Sequence, residues 1–183
     1  MTWLLAALLA AGQPDVPAEV SAASRIESPA TSQSVHEVVV PAPPEQVWRA
    51  VSTTEGWRGW AAVQAWSTAG QPLLIETSYD RTAAPGHPAN IKSLFVLAVP
   101  ERLVAFRTVK APAGFADFDA LAAVTWLIEL APVEGGTRVR LTGSGYPRTP
   151  AGERILGFFM KGNAAALGAL RDSFRATAST SSN

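Results

Sequence analysis

Residues 123–174 read AVTWLIELAPVEGGTRVRLTGSGYPRTPAGERILGFFMKGNAAALGALRDSF, and the spacing of their apolar residues changes along the stretch. Residues 123–130 and 137–145 alternate with the period of two that is typical of strands, and Gly135-Gly136 between them favours a hairpin turn. Thr149-Pro150 then supplies an N-cap and a first helical residue. On the helix that follows, one stripe collects apolar side chains around Asn163: Ile155, Phe159, Ala166, Leu167, Leu170 and Phe174. The stretch predicts an antiparallel hairpin followed by a helix of about seven turns with one buried face.

The chain upstream of this stretch shows the same strand pattern several times. Period-two segments lie at residues 36–40, 72–79, 91–99 and 103–109, with a weaker one at residues 63–67. Between the first two of the clear segments, Pro43-Pro44 begins a short amphipathic helix, and Thr53-Thr54 caps a second short helix through Trp57 and Trp60. Pro100-Glu101 marks a tight turn, so the strands follow one another as a meander. The predicted fold is α+β: a curved antiparallel sheet of about six or seven strands around a long C-terminal helix, with two short helices after the first strand.

Composition narrows the classes of partner. The chain of 183 residues is 48% hydrophobic, and 15 basic side chains balance 15 acidic ones, so no net charge attracts nucleic acid or an anionic membrane surface. The chain has no cysteine, and its two histidines lie far apart in the sequence. Disulfides and thiolate metal sites are therefore excluded, and the sequence predicts no metal and no cofactor.

The two ends of the chain differ in composition from its centre. Residues 3–11 (WLLAALLAA) are too short to span a membrane but suit the apolar part of a secretory signal, although no Lys or Arg precedes them. We predict a signal peptide over residues 1–18, with cleavage after Ala18 or, as the second choice, near Ala10-Ala11-Gly12. Residues 19–34 and 177–183 are rich in small polar side chains, which predicts a disordered linker and a polar tail around a domain at 35–176. The protein is then exported, periplasmic or secreted, or cytoplasmic if the leader is not a signal.

Four stretches together suggest a relationship to known proteins: residues 35–60 (VHEVVVPAPPEQVWRAVSTTEGWRGW), 99–107 (VPERLVAFR), 125–146 (TWLIELAPVEGGTRVRLTGSGY) and 158–174 (FFMKGNAAALGALRDSF). In this order they resemble the SRPBCC superfamily, also called START-like or helix-grip proteins. The most similar branch is that of the C-terminal domains of activator of heat-shock protein 90 ATPase homologues. The resemblance implies a helix-grip fold around an apolar cavity. Many members carry tryptophan where this chain has Asn163, which implies a more polar cavity at that point.

Several side chains are candidates for the wall of such a cavity. Five aromatic residues fall on faces that would line it, and each could equally be ordinary core packing: Trp57, Trp60, Phe95, Trp126 and Phe159. Asn163 either bonds a bound molecule or water, or caps a nearby backbone group. Arg107 and Tyr79 are polar candidates, although the alternation of Val104, Phe106 and Thr108 favours an exposed Arg107 over one that pairs with a ligand or with Glu76.

A loop and a glycine pair offer two further candidates. Residues 110–121 carry Phe115 and Phe118 and predict either a lid at the cavity mouth or a short helical turn docked on the sheet. Ser144 lies between Gly143 and Gly145 without the spacing of a nucleophilic serine, so this site predicts a β-bulge.

Three functions follow from this interpretation. The first is a binding or carrier protein for a small hydrophobic molecule, without evident catalytic residues. The second is an enzyme of cyclase, aromatase or hydrolase type, which Glu76 or Asp119 facing Asn163 across the cavity would favour. The third is a protein-interaction module resembling a co-chaperone, which requires an exposed apolar patch.

Overall fold

The structure is a computed structural model that describes residues 17–180. Its strands are β1 (Ser21–Ile26), β2 (Thr31–Val40), β3 (Gln64–Thr68), β4 (Gln71–Ser78), β5 (Ile91–Val99), β6 (Leu103–Lys110), β7 (Thr125–Val133) and β8 (Gly136–Pro147). Its helices are α1 (Pro44–Ser52), α2 (Thr54–Trp57), α3 (Phe118–Ala122) and α4 (Pro150–Thr180).

The strands form one antiparallel sheet with the order β1-β2-β8-β7-β6-β5-β4-β3. Strands β3 to β8 pair with their neighbours along the chain, whereas β2 pairs with β8 and so brings the start of the domain beside its end. Helix α4 lies across this junction and packs on β1, β2 and β8. The α+β helix-grip prediction is therefore confirmed, with both short helices after β2 and with eight strands in the sheet.

The additional strand lies in residues 19–34, where the sequence predicts a disordered linker. Ser28 Oγ accepts hydrogen bonds from the N–H groups of Ala30 and Thr31, which closes the turn between β1 and β2. The carboxylate of Glu27 accepts bonds from Ser144 Oγ and from the N–H of Gly145 on β8. Every residue of β1 is exposed, so backbone pairing orders this segment without the apolar burial on which the prediction depended.

The bulge predicted at Gly143-Ser144-Gly145 is present in β8. The register of β2 against β8 shifts between Ser32 and Gln33, opposite Gly145. Gly145 has a φ of 92°, a conformation that side-chain-bearing residues rarely adopt. The shift turns the Tyr146 ring into the core, where its hydroxyl lies 3.2 Å from Ser34 Oγ. This bulge therefore has a structural role, which is to direct Tyr146 into the core.

Two apolar cores lie on the inner face of the sheet. The larger core lies between α4 and strands β2, β7 and β8, and it includes Val38, Ile128, Val139 and Leu167. The smaller core lies beneath α2 and combines Trp57, Ala65, Ile75, Phe95 and Val104. Three half-buried aromatic residues pack against both cores: Trp48, Trp60 and Phe106. We call these three residues the aromatic seam, because they lie where the two cores meet.

The N-terminal end of the described chain packs on α4. Val20 is buried in the larger core, and Glu19 forms an ion pair with Arg171. The ring of Pro17 lies 2.9 Å from the point that a Cβ of residue 168 would occupy, so Gly168 leaves room for it. Helix α4 continues through Thr180, so the first residues of the predicted polar tail are helical. Most of the predicted signal peptide lies outside the described residues.

Candidate functional site

A continuous row of aromatic rings crosses the inner face of the sheet. Trp57 lies 5.5 Å from Phe95 and 5.1 Å from Phe106 between ring centroids. Phe106 stacks on Trp126 at 6.4 Å, and Trp126 contacts Phe159 of α4 at 4.7 Å. We call this row, together with Trp60 and Tyr146, the aromatic array. The structure thus brings together all five aromatic residues that the sequence predicts to face the interior.

Hydrogen bonds fix the two tryptophans that begin the array. The indole N–H of Trp57 donates to the carbonyl oxygen of Val51 at 2.8 Å, and that of Trp60 donates to the carbonyl oxygen of Ala50 at 3.1 Å. Both acceptors lie in α1, whose last carbonyl groups lack partners within the helix. The polar atoms of these indoles are therefore satisfied, and the rings present only apolar surface to the array.

The array is closed by its own side chains. Trp57, Phe95 and Trp126 are 5%, 8% and 3% exposed, so little water-sized space adjoins them. The seam residues and Phe159 are half-buried and form the accessible part of the array. A molecule would reach the inner rings by displacing seam side chains.

A polar group of residues lies at the α4 end of the array. His36 on β2 is fully buried, and its Nε2 lies 2.9 Å from the carbonyl oxygen of Met160 on α4. That carbonyl oxygen only accepts, so Nε2 carries the hydrogen and Nδ1 of the neutral ring is an acceptor. Asn163 follows Met160 by one helical turn and is buried, as predicted for the stripe of α4. His36 Nδ1 and Asn163 Nδ2 are both buried, and neither has a hydrogen-bond partner among residues 17–180.

Burial keeps the His36 ring neutral. Desolvation lowers the pKa of His36 below its ordinary value of 6.5, although the backbone groups of Met160 and Leu141 oppose the shift. Because the folded protein then binds the proton less tightly than the unfolded chain, His36 contributes stability that is complete above about pH 6.5 and is lost as the pH falls below that value.

We therefore expect acid to destabilise the wild-type protein more than a His36→Gln variant between pH 7.5 and pH 5.5. The extra loss approaches about 1.4 kcal/mol per pH unit where only the unfolded chain is protonated at this residue. Thermal unfolding monitored by circular dichroism at the two pH values measures the difference in stability loss. Parallel pH dependence of the two proteins would contradict a buried neutral His36.

Two predicted polar candidates lie away from the array. Arg107 is exposed on the outer face, where its guanidinium donates to the carbonyl oxygen of Ala122 at 2.8 Å. Tyr79 follows β4 and is 47% exposed. The parity of β6 explains the position of Arg107, because Val104, Phe106 and Thr108 occupy the inner face. The sequence analysis favoured this exposed position of Arg107 over pairing with a ligand or with Glu76.

The loop that carries Phe115 and Phe118 is docked on the domain. Its residues 118–122 form α3, in which Ala120 and Leu121 are buried. The carboxylate of Asp117 forms two hydrogen bonds to Arg154 of α4, at 2.7 and 3.0 Å. Phe115 packs against the larger core, and Phe118 is half-buried. This arrangement corresponds to the docked helical turn, one of the two predicted alternatives.

Glu76 holds a loop on the outer face of the sheet. Its Oε1 accepts hydrogen bonds from Asn90 Nδ2 and from the N–H of Gly86, both at 2.7 Å, and Oε2 lies 3.5 Å from Lys92 Nζ. Although burial favours the neutral acid, these bonds and the Lys92 charge keep the pKa of Glu76 below its usual value. Glu76 therefore does not face Asn163 across the interior, and Asp119 is exposed.

The outer face carries two shallow depressions and one apolar strip. The depressions measure about 390 and 280 Å³ and share Glu129 and Arg140 in their linings. The strip consists of exposed aliphatic residues on β5: Leu94, Val96, Leu97 and Val99. Among residues 17–180, no group of three or more His, Cys, Asp or Glu side chains could share a metal ion. Within the same residues, no helix has both the length and the apolar character needed to cross a bilayer.

Sequence reasoning did not single out Trp48 or His36, and it considered Phe106 only as part of a possible inner face of β6. Trp48 lies beside the buried Val47 on α1, and the position of Phe106 depended on a strand parity that two patterns left open. A usable signal existed for His36, because it alternates with Val38 and Val40 on one face of β2.

Comparisons with known proteins agree with this geometry. The profile of the family described as polyketide cyclase / dehydrase and lipid transport matches residues 32–178. A comparison with curated protein sequences gives no match.

Solved structures share the fold at low sequence identity. Protein Ms6760 from Mycobacterium smegmatis superposes with a TM-score of 0.62 at 14% identity, over 86% of this chain and 99% of that one. The Aha1 dimer from Colwellia psychrerythraea gives 0.59 at 20% identity, over 78% and 95%. Protein MLL2253 from Mesorhizobium loti gives 0.59 at 18% identity, over 76% and 94%.

Proposed function

The chain belongs to the polyketide cyclase / dehydrase and lipid transport family, and we propose on this basis that it binds or carries a small hydrophobic molecule at the aromatic seam. The observation that carries the proposal is the aromatic array, which runs without a break from α2 to α4. Aromatic walls bind apolar and planar molecules by burial and stacking. The predicted SRPBCC resemblance agrees with the family match.

The half-buried seam defines the entrance in this proposal. Trp48, Trp60 and Phe106 contact both cores, so their movement opens a path between α1 and β6 without unfolding either core. The array is closed in the structure, and binding therefore selects or induces a more open arrangement. Ligand binding then stabilises the protein in proportion to its affinity.

Native mass spectrometry of the full chain, purified from its own host without detergent, tests the proposal. We expect a discrete additional mass that disappears when the protein is denatured. A bare native mass, together with no change in melting temperature on addition of naphthalene as an apolar probe, would contradict it.

A substitution in the seam is expected to weaken binding of the probe. Phe106→Ala removes a ring that contacts Trp57, Phe95 and Trp126, and the lost stacking corresponds to roughly tenfold weaker naphthalene binding. Tyr79→Ala is the matched control, because it also removes an aromatic ring but lies outside the array. Equal losses in the two variants, measured by calorimetric titration, would argue against the seam as the site.

A second candidate function is catalysis of cyclase or dehydrase type. The observation that favours it is the neutral, buried His36, whose free Nδ1 has the character of a general base at the end of the array. Incubation of the protein with a metabolite extract of the host tests this function. If the protein is an enzyme, a component of the extract is converted, and His36→Gln abolishes the conversion. If the protein is a carrier, the component is depleted from free solution but is not converted.

A protein-interaction role is the third candidate, and the exposed aliphatic strip on β5 favours it. Strips of this kind bury their surface on a partner protein or on a second copy. Val96→Lys and Leu97→Lys together are expected to abolish such an association, as measured by light scattering after size-exclusion chromatography. A wild-type protein that remains monomeric and captures no partner would remove the main support for this role.

We also propose export of the protein, on the strength of its apolar leader. Cleavage after Ala18 would remove Pro17, which packs at Gly168, while keeping Val20 in the core. Cleavage near Ala10-Ala11-Gly12 would keep both contacts. N-terminal sequencing of the protein from the host distinguishes the two sites, and an intact N-terminus would contradict export.

A further inference from the structure

Two buried polar atoms at the end of the array have no partner within residues 17–180, and one is an acceptor while the other is a donor. His36 Nδ1 is an acceptor because Nε2 donates to Met160. Asn163 Nδ2 is a donor that reaches no acceptor in the described part of the chain. Both side chains are more than nine-tenths buried. Buried polar atoms without partners are uncommon in folded proteins and require an explanation.

His36 and Asn163 adjoin the same part of α4. The ring of His36 contacts the carbonyl oxygen of Met160, and Asn163 lies one turn further along the same helix, on its buried face. Phe159, which precedes Met160, contacts Trp126 of the array.

We propose that His36 and Asn163 bind a hydroxyl group at the buried end of the hydrophobic ligand. A hydroxyl donates its hydrogen to Nδ1 of His36 and accepts the N–H of Asn163, so one group satisfies both atoms. A carbonyl group satisfies only Asn163, and a hydrocarbon satisfies neither. The inference rests on the proposed function, because it assigns chemistry to one end of the same site.

The neighbouring polar pair differs from these two groups because its members bond each other. Tyr146 and Ser34 lie within hydrogen-bond distance of each other, on the same inner face. Burial raises the pKa of Tyr146, so the phenol stays neutral. Ser34 and Tyr146 thus have each other as partners, whereas His36 Nδ1 and Asn163 Nδ2 have none among residues 17–180.

The test compares two probes that differ by one oxygen atom, 2-naphthol and naphthalene, in calorimetric titrations of the full chain. We expect wild-type protein to bind 2-naphthol at least about tenfold more tightly, because naphthalene leaves the two polar atoms without partners. Asn163→Leu keeps a side chain of similar size without the donor, and we expect it to reduce this preference to about twofold or less. Gln46→Leu, which also replaces a side-chain amide with leucine but at an exposed position on α1, serves as the control and keeps the preference.

A second measurement needs no variant. The ¹⁵N signal of His36 Nδ1 reports hydrogen bonding to that atom, and we expect it to shift when 2-naphthol is added but not when naphthalene is added. Equal binding of the two probes, or an Nδ1 signal that 2-naphthol does not change, would overturn the inference and leave the proposed function standing. Failure of both probes to bind would overturn both.

Discussion

Replacing Trp126 with alanine is expected to lower the free energy of unfolding by about 3–5 kcal/mol. Trp126 is 3% exposed and contacts three aromatic rings, those of Phe106, Tyr146 and Phe159. Its removal leaves a cavity between β7 and α4 that the neighbouring rings fill only in part, since Phe159 is fixed on a helix and Tyr146 follows the bulge at Gly145. Chemical denaturation at equilibrium measures the loss.

Trp66→Ala is the matched control for this substitution. Trp66 lies on the edge strand β3, is half-buried and belongs to neither core. Its removal is expected to lower the free energy of unfolding by about 1 kcal/mol, because partly buried side chains away from the core contribute less. Similar losses for Trp126→Ala and Trp66→Ala would contradict the central position of Trp126 in the array.

Replacing Glu76 with alanine is expected to destabilise the protein by about 3 kcal/mol and to loosen residues 80–90. The substitution leaves Asn90 Nδ2 with one partner, the carbonyl oxygen of Ala84, and removes the acceptor of the Gly86 N–H. It also removes the carboxylate that pairs with Lys92. Equilibrium denaturation and amide hydrogen exchange of residues 80–90 measure the two effects.

Two further variants separate the contributions at this site. Glu76→Gln retains an oxygen that accepts from Asn90 and Gly86, so we expect it to lose less stability than Glu76→Ala. Glu129→Ala removes an exposed carboxylate from the outer face and is expected to change the free energy of unfolding by about 0.5 kcal/mol or less. Unchanged hydrogen exchange of residues 80–90 in Glu76→Ala would show that the carboxylate does not hold this loop.

The strands that face the core were predictable because their sequences alternate. Residues 91–99 were predicted as a strand, and β5 spans Ile91–Val99. In contrast, β1 is exposed at every position, so no hydrophobic period marks it, and its order depends on pairing with β2 and on the distant contacts of Glu27. Such long-range hydrogen bonds leave no local pattern in the sequence.

The candidate site was predictable in part for the same reason. Phe95 and Trp126 are buried on strands that the alternation predicts, and Trp57 is buried beside them on α2. The seam was not predictable, because it is defined by contact with two separate cores, which is a property of tertiary packing. The partner of His36 lies 124 residues away in the chain, so its tautomer and its free nitrogen could be identified only from the folded structure.

The closure of the array connects the fold to the proposed function. A cavity open to solvent would expose several tryptophan and phenylalanine rings to water, which is unfavourable in proportion to the apolar area exposed. Packing the rings on one another in the absence of a ligand avoids that exposure. A hydrophobic ligand can then replace ring–ring contacts with contacts of its own.

The most direct test of binding at the seam is a naphthalene titration followed through the indole N–H signals of the tryptophans. Trp48, Trp57, Trp60 and Trp126 belong to the seam or the array, whereas Trp66 lies on the edge strand and provides an internal control. The account predicts that the first four signals shift together with one dissociation constant while that of Trp66 remains in place. Four unchanged signals, or a shift confined to Trp66, would contradict the account.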